Sequence, residues 1–180
     1  MIRGGIDGSN TQTGNKYKEV IFLEILRYIQ NRNYSIKESS DGISKQIIHQ
    51  NGNIIGNIFT EKKFYKFFNI NWKDKISKEI RPDIGIFINK TLFVIECKSQ
   101  SVNGSVDEKL QTCDFKKSQY EKLMFGSNIK VEYIYVLNSY FSDSKYKDVL
   151  DYIKSVKCYY CFEDQIGILI DNIIKFGVLY

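Results

Sequence analysis

Several residue types and patterns are scarce in this chain, and each scarcity excludes a class of protein. No segment approaches the run of about 20 apolar residues that a membrane-spanning helix needs. The beginning, MIRGGIDGSN, lacks an apolar signal region, so we expect a cytoplasmic protein with no membrane partner. No internal repeat, low-complexity tract or linker interrupts the 180 residues. We therefore expect a single domain spanning residues 1–180.

Histidine and cysteine are too few for an evident zinc site. The chain has one histidine and four cysteines. Cys158 and Cys161 have the spacing of half a zinc site, but a second such pair is absent, and a structural site needs four ligands. Buried, reduced thiols are the better interpretation.

The charge balance permits a polyanionic partner without requiring one. The net charge is +5 and the isoelectric point is about 8.9. Basic residues alternate with aromatic residues in EKKFYKFFNINWKDK, and such mixtures can contact phosphates while rings stack on bases. Lys62, Lys63 and Lys66 are therefore candidate phosphate contacts, whereas we expect the phenylalanines of this segment in the core.

The only proline stands immediately before an aspartate, and a hairpin of predictable register follows. If Asn89 and Lys90 form a two-residue turn between RPDIGIFI and TLFVIECKS, Asp83 faces Glu96 across the strands. Directly opposed Cβ atoms lie about 4.5–5.5 Å apart, and like charges placed there repel unless a cation joins them. Lys98 projects from the same face, roughly 6.6 Å further along the strand. One sheet face therefore presents two acids and a lysine.

The opposite face of this hairpin is expected to be apolar and buried. In the predicted register its side chains are Ile84, Ile86, Ile88, Phe93, Ile95 and Cys97. A shift of the register by one residue would no longer place these side chains on one face. The alternative interpretation is an exposed strand end where Glu96 and Lys98 form a surface ion pair of little energetic value. The proline, the buried hairpin and the acidic pair coincide, which favours a functional site.

Periodicity along the rest of the chain predicts an α/β fold. A helix is predicted over about residues 15–31 and is capped by Thr13; its apolar stripe is Val20, Leu23, Ile25, Leu26 and Ile29. A second helix is predicted over about residues 106–125, with Leu110, Phe115 and Leu123 directed inward.

Further strands and helices are predicted on both sides of that second helix. KQIIHQ and NIIGNIF flank an Asn51-Gly52 turn and predict a hairpin. VEYIYVLN and VKCYYCF are typical of strands, and SKYKDVLDYIKS and EDQIGILIDNIIKF are typical of helices.

Pro82-Asp83 followed by Glu96-x-Lys98 resembles the signature of the PD-(D/E)xK nuclease superfamily. Two further segments resemble parts of small type II restriction endonucleases: GGIDGSNTQTGNKYKE is similar to their beginning, and ECKSQSVNGSVDEKLQTCDFKKSQYEKL to the segment after the catalytic strand. The resemblance implies a restriction-endonuclease-like core, in which a mixed central sheet with a catalytic β-hairpin is flanked by helices.

The resemblance also implies roles for individual residues. Asp83 and Glu96 would bind Mg²⁺, and the backbone carbonyl of Cys97 would add a ligand. Lys98 would orient the attacking water, and Gln100 would lie near the scissile phosphate.

An acid on the first helix also joins the site in this family, and here the chain departs from the pattern. The similar segments place an acid directly after the aromatic residue that follows Thr-Gly, whereas this chain has Lys18 after Tyr17. Glu19 is the first candidate for the missing acid, and Glu24 is the second.

The segment after the catalytic strand supplies further candidate DNA contacts. Gly104 and Ser105 offer backbone amides at a helix start, where the dipole favours an anion such as phosphate, although they could equally be a simple cap. Lys116, Lys117 and Lys122 are expected to form a solvated helix face.

With these patterns, the resemblance implies a magnesium-dependent, sequence-specific type II restriction endonuclease, which we expect to act on double-stranded DNA as a homodimer. A DNA repair or junction-resolving nuclease would use the same core, and so would the catalytic subunit of a heteromeric restriction system. A non-catalytic DNA-binding module is the remaining alternative, which the intact set of two acids and a lysine disfavours.

Overall fold

A computed structural model describes residues 7–102 and 106–177 of the chain. Its strands are β1 (Tyr34–Glu38), β2 (Lys45–His49), β3 (Ile54–Phe59), β4 (Ile84–Ile88), β5 (Thr91–Lys98), β6 (Lys130–Leu137) and β7 (Tyr159–Phe162). Its helices are α1 (Asp7–Gln30), α2 (Lys63–Phe68), α3 (Val106–Leu110), α4 (Cys113–Met124), α5 (Lys147–Ser155) and α6 (Ile166–Phe176). Short 3₁₀ turns cover Trp72–Asp74, Ser139–Ser142, Ser144–Tyr146 and Glu163–Gln165.

The described strands form one mixed sheet in the order of the sequence, β1 to β7. Strands β1 to β5 are antiparallel; short turns join them except between β3 and β4, where α2 intervenes. Strands β5, β6 and β7 are parallel, because α4 and α5 cross between them. The predicted α/β class with a mixed central sheet is therefore confirmed, and β1 is a strand that the sequence pattern did not predict.

Helices cover both faces of the sheet. The first layer, α1 and α6, packs on the apolar face of the β4–β5 hairpin that contains Ile86 and Phe93. The second layer, α2, α4 and α5, packs on the opposite face, which contains Leu92 and Val94. Strands β4 and β5 therefore alternate their side chains between two separate cores, as the hairpin sequence predicted.

Gly85 on β4 is required by the packing of the second layer. It pairs with Phe59 of β3, and a Cβ atom at Gly85 would lie 2.1 Å from a ring carbon of Phe59. The ring of Phe59 therefore lies directly against the backbone of Gly85, which is the second residue of β4.

Three predictions about the helices are wrong. Val20 and Leu23 of α1 are exposed, whereas the predicted Ile25 and Ile29 are buried and form the stripe together with Ile21. Phe115 is also exposed, whereas the predicted Leu110 and Leu123 are buried.

The exposure of Phe115 follows from a break in the predicted helix. The helix predicted over residues 106–125 divides into α3 and α4 near Thr112. The backbone amide and the hydroxyl of Thr112 both donate to the carbonyl of Lys109. In α4 the buried positions are Cys113, Gln119, Tyr120, Leu123 and Met124.

Helix α1 begins earlier than the sequence pattern predicted. It starts at Asp7, so Thr13 lies inside the helix and not before it. The first turns carry few apolar residues, and hydrophobic periodicity therefore gave no signal there.

Candidate active site

The β4–β5 hairpin has the register predicted from its sequence. Asn89 and Lys90 form the turn with φ values of 49° and 59°, which are the left-handed values of a two-residue type I′ turn. Ile84 pairs with Ile95, so Asp83 lies one residue before the paired strand, beside Glu96. The two residues are only 9% and 6% exposed.

Each oxygen of the Asp83 carboxylate has a partner from a different element. Oδ2 accepts a hydrogen bond from the backbone N–H of Cys97 at 2.9 Å. Oδ1 contacts the ammonium of Lys18, on α1, at 2.5 Å. The amide and carbonyl of one strand residue point toward the same side, so the Cys97 carbonyl also faces the Asp83 side of β5.

Glu96 has two cationic partners, and both contact the same carboxylate oxygen. Lys98 lies on the same strand, and its Nζ is 2.7 Å from Glu96 Oε2. Lys116 reaches the same oxygen from α4 at 3.6 Å. The second oxygen, Oε1, is consequently the one that can bind a further cation.

The carbonyl groups of the segment that leads to Asp83 accept hydrogen bonds from α2 and from the residues just before it. The Pro82 carbonyl accepts a hydrogen bond from the N–H of Glu61 at 3.1 Å, and Glu61 precedes α2 by two positions. The Tyr65 hydroxyl donates to the carbonyl of Ile80. Pro82 itself is buried. The start of α2 therefore lies beside the carboxylate pair.

The pKa values in this cluster reflect a buried like-charge pair surrounded by lysines. Burial, and then the charge of Glu96, raise the pKa of Asp83, although Lys98 and Lys18 oppose the rise. Burial also acts to raise the pKa of Glu96, but Lys98 and Lys116 outweigh it and leave that pKa lowered. Burial acts to lower the pKa of Lys98, and the charges of Glu96 and Asp83 leave it raised. Lys98 is therefore charged at neutral pH.

The end of β6 holds the segment that follows Lys98. Asn138 donates its backbone N–H to the carbonyl of Lys98 at 3.2 Å. Its side chain then binds the backbone of Gln100 twice, accepting from the N–H at 3.2 Å and donating to the carbonyl at 2.9 Å. Asn138 therefore fixes the backbone of Gln100 two residues beyond Lys98, and the Gln100 side chain is half-buried there.

The two carboxylates fit a hard divalent cation such as Mg²⁺. This ion prefers oxygen ligands, and proteins usually hold it through one or two carboxylates while it keeps several waters. A cation shared by both carboxylates would remove the repulsion that contributes to the raised pKa of Asp83. Within residues 7–102 and 106–177, no three His, Cys, Asp or Glu side chains are grouped to hold a metal. The Cys97 carbonyl, water and phosphate would supply the other oxygens.

Neither candidate acid of the first helix is the α1 residue that contacts Asp83. Lys18, and not an acid, contacts Asp83. Successive helical residues differ by about 100° around the axis, so Glu19 is turned away from Asp83 and is exposed. Glu24 is half-buried, nearly two turns further along α1.

The predicted DNA contacts lie partly beside the site. Lys62, Lys63 and Lys66 are exposed at the start of α2 and within it. The Lys63 ammonium donates to the carbonyl of Gly42 at 2.9 Å, which joins α2 to the β1–β2 turn. Gly104 and Ser105 lie outside the described residues. The phenylalanines of α2 pack in or against the core, as predicted.

Sequence reasoning missed Lys18 and Lys116, although a signal for both was present. Lys18 precedes Ile21 and Ile25 by three and seven positions, so it continues the buried stripe of α1. Lys116 lies between Cys113 and Tyr120 on the buried stripe of α4. The expectation of a solvated face at Lys116 is wrong, because a lysine at the end of an apolar stripe can extend its ammonium to a buried acid.

Lys117 also departs from that expectation. It is half-buried, contacts Glu132 at 3.6 Å and donates to the carbonyl of Lys157 at 2.7 Å. Lys122 is exposed as predicted. The cysteines of the described chain are all buried, free thiols, which confirms the expectation for Cys158 and Cys161.

Comparisons with known proteins give distant structural likenesses. No family model matches the chain, and no match to a curated protein was found. The chain is similar to the small subunit of the heterodimeric restriction endonuclease R.BspD6I, with 14% identity and a TM-score of 0.38, over 94% of this chain and 81% of that one. It is also similar to protein VC1899 from Vibrio cholerae, with 13% identity and a TM-score of 0.35, over 92% of this chain and 54% of that one.

Both TM-scores are below 0.5, so a functional assignment depends on the site itself. Among the described residues, no helix has the length and apolar character needed to cross a membrane.

Proposed function

We propose that this chain is a magnesium-dependent type II restriction endonuclease with a restriction-endonuclease-like fold, which hydrolyses phosphodiester bonds of double-stranded DNA. The observation that carries the proposal is the pair of buried carboxylates, Asp83 and Glu96, with Lys98 2.7 Å from Glu96. Keeping two acids adjacent in a buried site costs stability, and such arrangements are concentrated at functional sites.

The residues of this cluster have different roles in the proposed reaction. Asp83, Glu96 and the Cys97 carbonyl would hold Mg²⁺, which supplies polarisation of the phosphoryl oxygen and a lowered pKa of bound water. Lys98 is a charged donor, so it orients the attacking water and offsets the charge that develops on the phosphorus oxygens. A general-base role does not suit it, because its pKa is raised and not lowered.

Supporting contacts fix the reacting groups. The N–H of Cys97 holds one oxygen of Asp83, and Asn138 holds the backbone that leads to Gln100. Gln100 would then lie beside the scissile phosphate. Glu19 stays a prediction as the acid of the first helix, and Glu24 is its alternative.

DNA would approach from the end of the β4–β5 hairpin where Asp83 and Lys98 lie. Lys62 and Lys66 are four positions apart, so they lie on one side of α2, and α2 begins beside Pro82. Phosphate contacts there would bring the duplex over the carboxylate pair. Gly104 and Ser105 stay as proposed contacts in the same region.

The test is cleavage of long, mixed-sequence double-stranded DNA with Mg²⁺ or with a chelator, followed by sequencing of the ends. Asp83→Asn is the control variant that we expect to be inactive, because it removes one charge and preserves the shape of the side chain. Fragments with a shared end sequence, absent with chelator and with Asp83→Asn, would support the proposal. Structure-dependent nicks would favour a repair or junction-resolving nuclease instead.

The absence of any Mg²⁺-dependent cleavage by the isolated protein would contradict the proposal and leave a partner-dependent subunit or a binding module. A double-strand cut needs two sites, so we propose that two copies associate about a two-fold axis on DNA. Light scattering of the protein with uncleaved DNA in Ca²⁺ would give the mass of the complex.

A further inference from the structure

Lys18 reaches the carboxylate pair from the opposite helical layer. It belongs to α1, whose buried stripe packs in the core on the other side of the sheet. Lys18 is at the end of that stripe, and its ammonium lies 2.5 Å from Asp83 Oδ1. The Lys18 side chain is 33% exposed, so part of it is in contact with solvent.

The charges of the cluster are unequally distributed. Glu96 has Lys98 and Lys116 on one oxygen. Asp83 has Lys18 as the one cation that contacts it among residues 7–102 and 106–177. Lys18 is therefore the counter-ion of the carboxylate whose pKa is raised by burial and by Glu96.

A divalent ion and the Lys18 ammonium compete for the same carboxylate. Mg²⁺ lies about 2.0–2.1 Å from its oxygen ligands, and the ammonium lies 2.5 Å from Asp83 Oδ1. Two cations so close together on one small carboxylate repel each other strongly, because the site is buried and screening is weak. The Lys18 side chain is partly exposed and has a flexible four-carbon stem, so the ammonium can move away from Asp83 without movement of α1.

We propose that Lys18 is a displaceable counter-ion of Asp83, which neutralises the carboxylate in the metal-free protein and is released toward solvent and DNA phosphate when metal binds. This inference rests on the proposed function, because it assumes that Asp83 is a metal ligand. It makes Lys18 a positioning residue that sets metal affinity. The opposite possibility is a fixed support, in which Lys18 holds Asp83 ready for the metal.

Metal affinity separates these two roles because they change it in opposite directions. Mn²⁺ binding to the full chain without DNA is measured by calorimetry and by the free-ion paramagnetic resonance signal. We expect Lys18→Met, which keeps length and removes charge, to bind Mn²⁺ about tenfold more tightly, a usual size for coupling between two sites. Lys18→Arg should resemble the unsubstituted protein. Lys16→Met is the matched control, because Lys16 is an exposed lysine two positions earlier on α1.

A second measurement needs no substitution at Lys18 and remains informative if those variants fold poorly. The rate at which an amine-reactive reagent labels each lysine is followed by peptide mass spectrometry. Since the coupling is reciprocal, saturating Mn²⁺ should increase the labelling rate of Lys18 and leave that of Lys16 unchanged. In Asp83→Asn, labelling of Lys18 should be insensitive to Mn²⁺.

The outcomes distinguish failure of this inference from failure of the proposed function. If Mn²⁺ binding is lost in Asp83→Asn but is unchanged or weaker in Lys18→Met, Lys18 is a fixed support and the displacement is wrong. If the unsubstituted protein binds no Mn²⁺ that depends on Asp83 and cleaves no DNA, the proposed function and this inference are both wrong.

Discussion

Two buried glutamates on neighbouring strands, Glu96 of β5 and Glu132 of β6, each contact two lysines but differ in what surrounds them. Glu132 has one lysine on each oxygen, with Lys130 2.6 Å from Oε1 and Lys117 3.6 Å from Oε2. Glu96 has both lysines on a single oxygen and a second acid, Asp83, beside it.

We infer from this difference that Glu132 stabilises the structure, whereas Glu96 has an oxygen at which a ligand can bind. Each carboxylate oxygen of Glu132 contacts a lysine ammonium, so both oxygens already have a cationic partner within the protein. Glu96 keeps Oε1 available, and the adjacent Asp83 adds a negative charge that the fold does not need. Buried charge that packing does not require is a reason to expect function.

The largest expected contrast is in catalysis. Asp83→Asn and Lys98→Met should lower the rate of DNA cleavage by about a hundredfold to a thousandfold or more, because each removes charge acting on the transition state. Glu132→Gln should keep the unsubstituted rate. Cleavage rates are measured with Mg²⁺ on DNA that contains the site found by end sequencing, and affinity for the same DNA is measured in Ca²⁺. Equal losses in all three variants would mean that the Asp83–Glu96 cluster and the Glu132 cluster do not differ in role.

The next contrast is in stability, where Glu132 should be the more important residue. Glu132→Gln leaves Lys117, whose side chain is 15% exposed, without its acid. We expect a loss of about 2 kcal/mol in the free energy of unfolding, between the values for surface pairs and buried pairs. Urea unfolding monitored by circular dichroism measures it, and an unchanged transition midpoint would show that the Glu132 cluster contributes nothing.

Asp83→Asn should instead raise the free energy of unfolding at neutral pH, by about 1 kcal/mol, as is common when a strained functional group is removed. The physical reason is the raised pKa of Asp83, caused by burial and Glu96. An acid whose pKa is higher in the folded state loses stability as the pH rises through that pKa. The gain of the variant should therefore disappear below the usual aspartate pKa. A constant gain at every pH would contradict this cause.

Glu96→Gln should show the opposite pH dependence. Burial acts to raise the pKa of Glu96, but the charges of Lys98 and Lys116 leave it lowered. Its ionised form therefore stabilises the fold above the usual glutamate pKa, and this contribution is lost as the pH falls through the lowered value. The destabilisation of Glu96→Gln should be present at neutral pH and absent in acid. Urea unfolding across this range measures both substitutions with one method.

The smallest expected effect is at the exposed partner of Glu132. The Lys130 side chain is 63% exposed, and an ion pair at such a surface contributes less than about 1 kcal/mol. Lys130→Met should shift the urea midpoint only slightly, whereas Lys117→Met should shift it more, because Lys117 is half-buried and also donates to the carbonyl of Lys157. Equal shifts would mean that burial does not distinguish the two lysines.

The parts of the fold that depend on local pattern could be predicted. The β2–β3 hairpin, the β4–β5 hairpin and the strands and helices after residue 129 were found where turn residues and periodicity indicated. The helix over residues 106–125 was predicted without its break, because the hydrogen bonds of Thr112 to Lys109 leave no mark in hydrophobic periodicity. Strand β1 was missed because it is short and polar at an edge of the sheet.

The sequence by itself determined which residues of the hairpin share a face, because strand side chains alternate and a two-residue turn fixes the register. Asp83, Glu96 and Lys98 follow from that count alone. Only the tertiary structure decided that Lys18 and Lys116 complete the cluster from two different helical layers. The rotation of each helix about its axis is set by packing against the sheet, and a long lysine side chain finds its acid only after that packing exists.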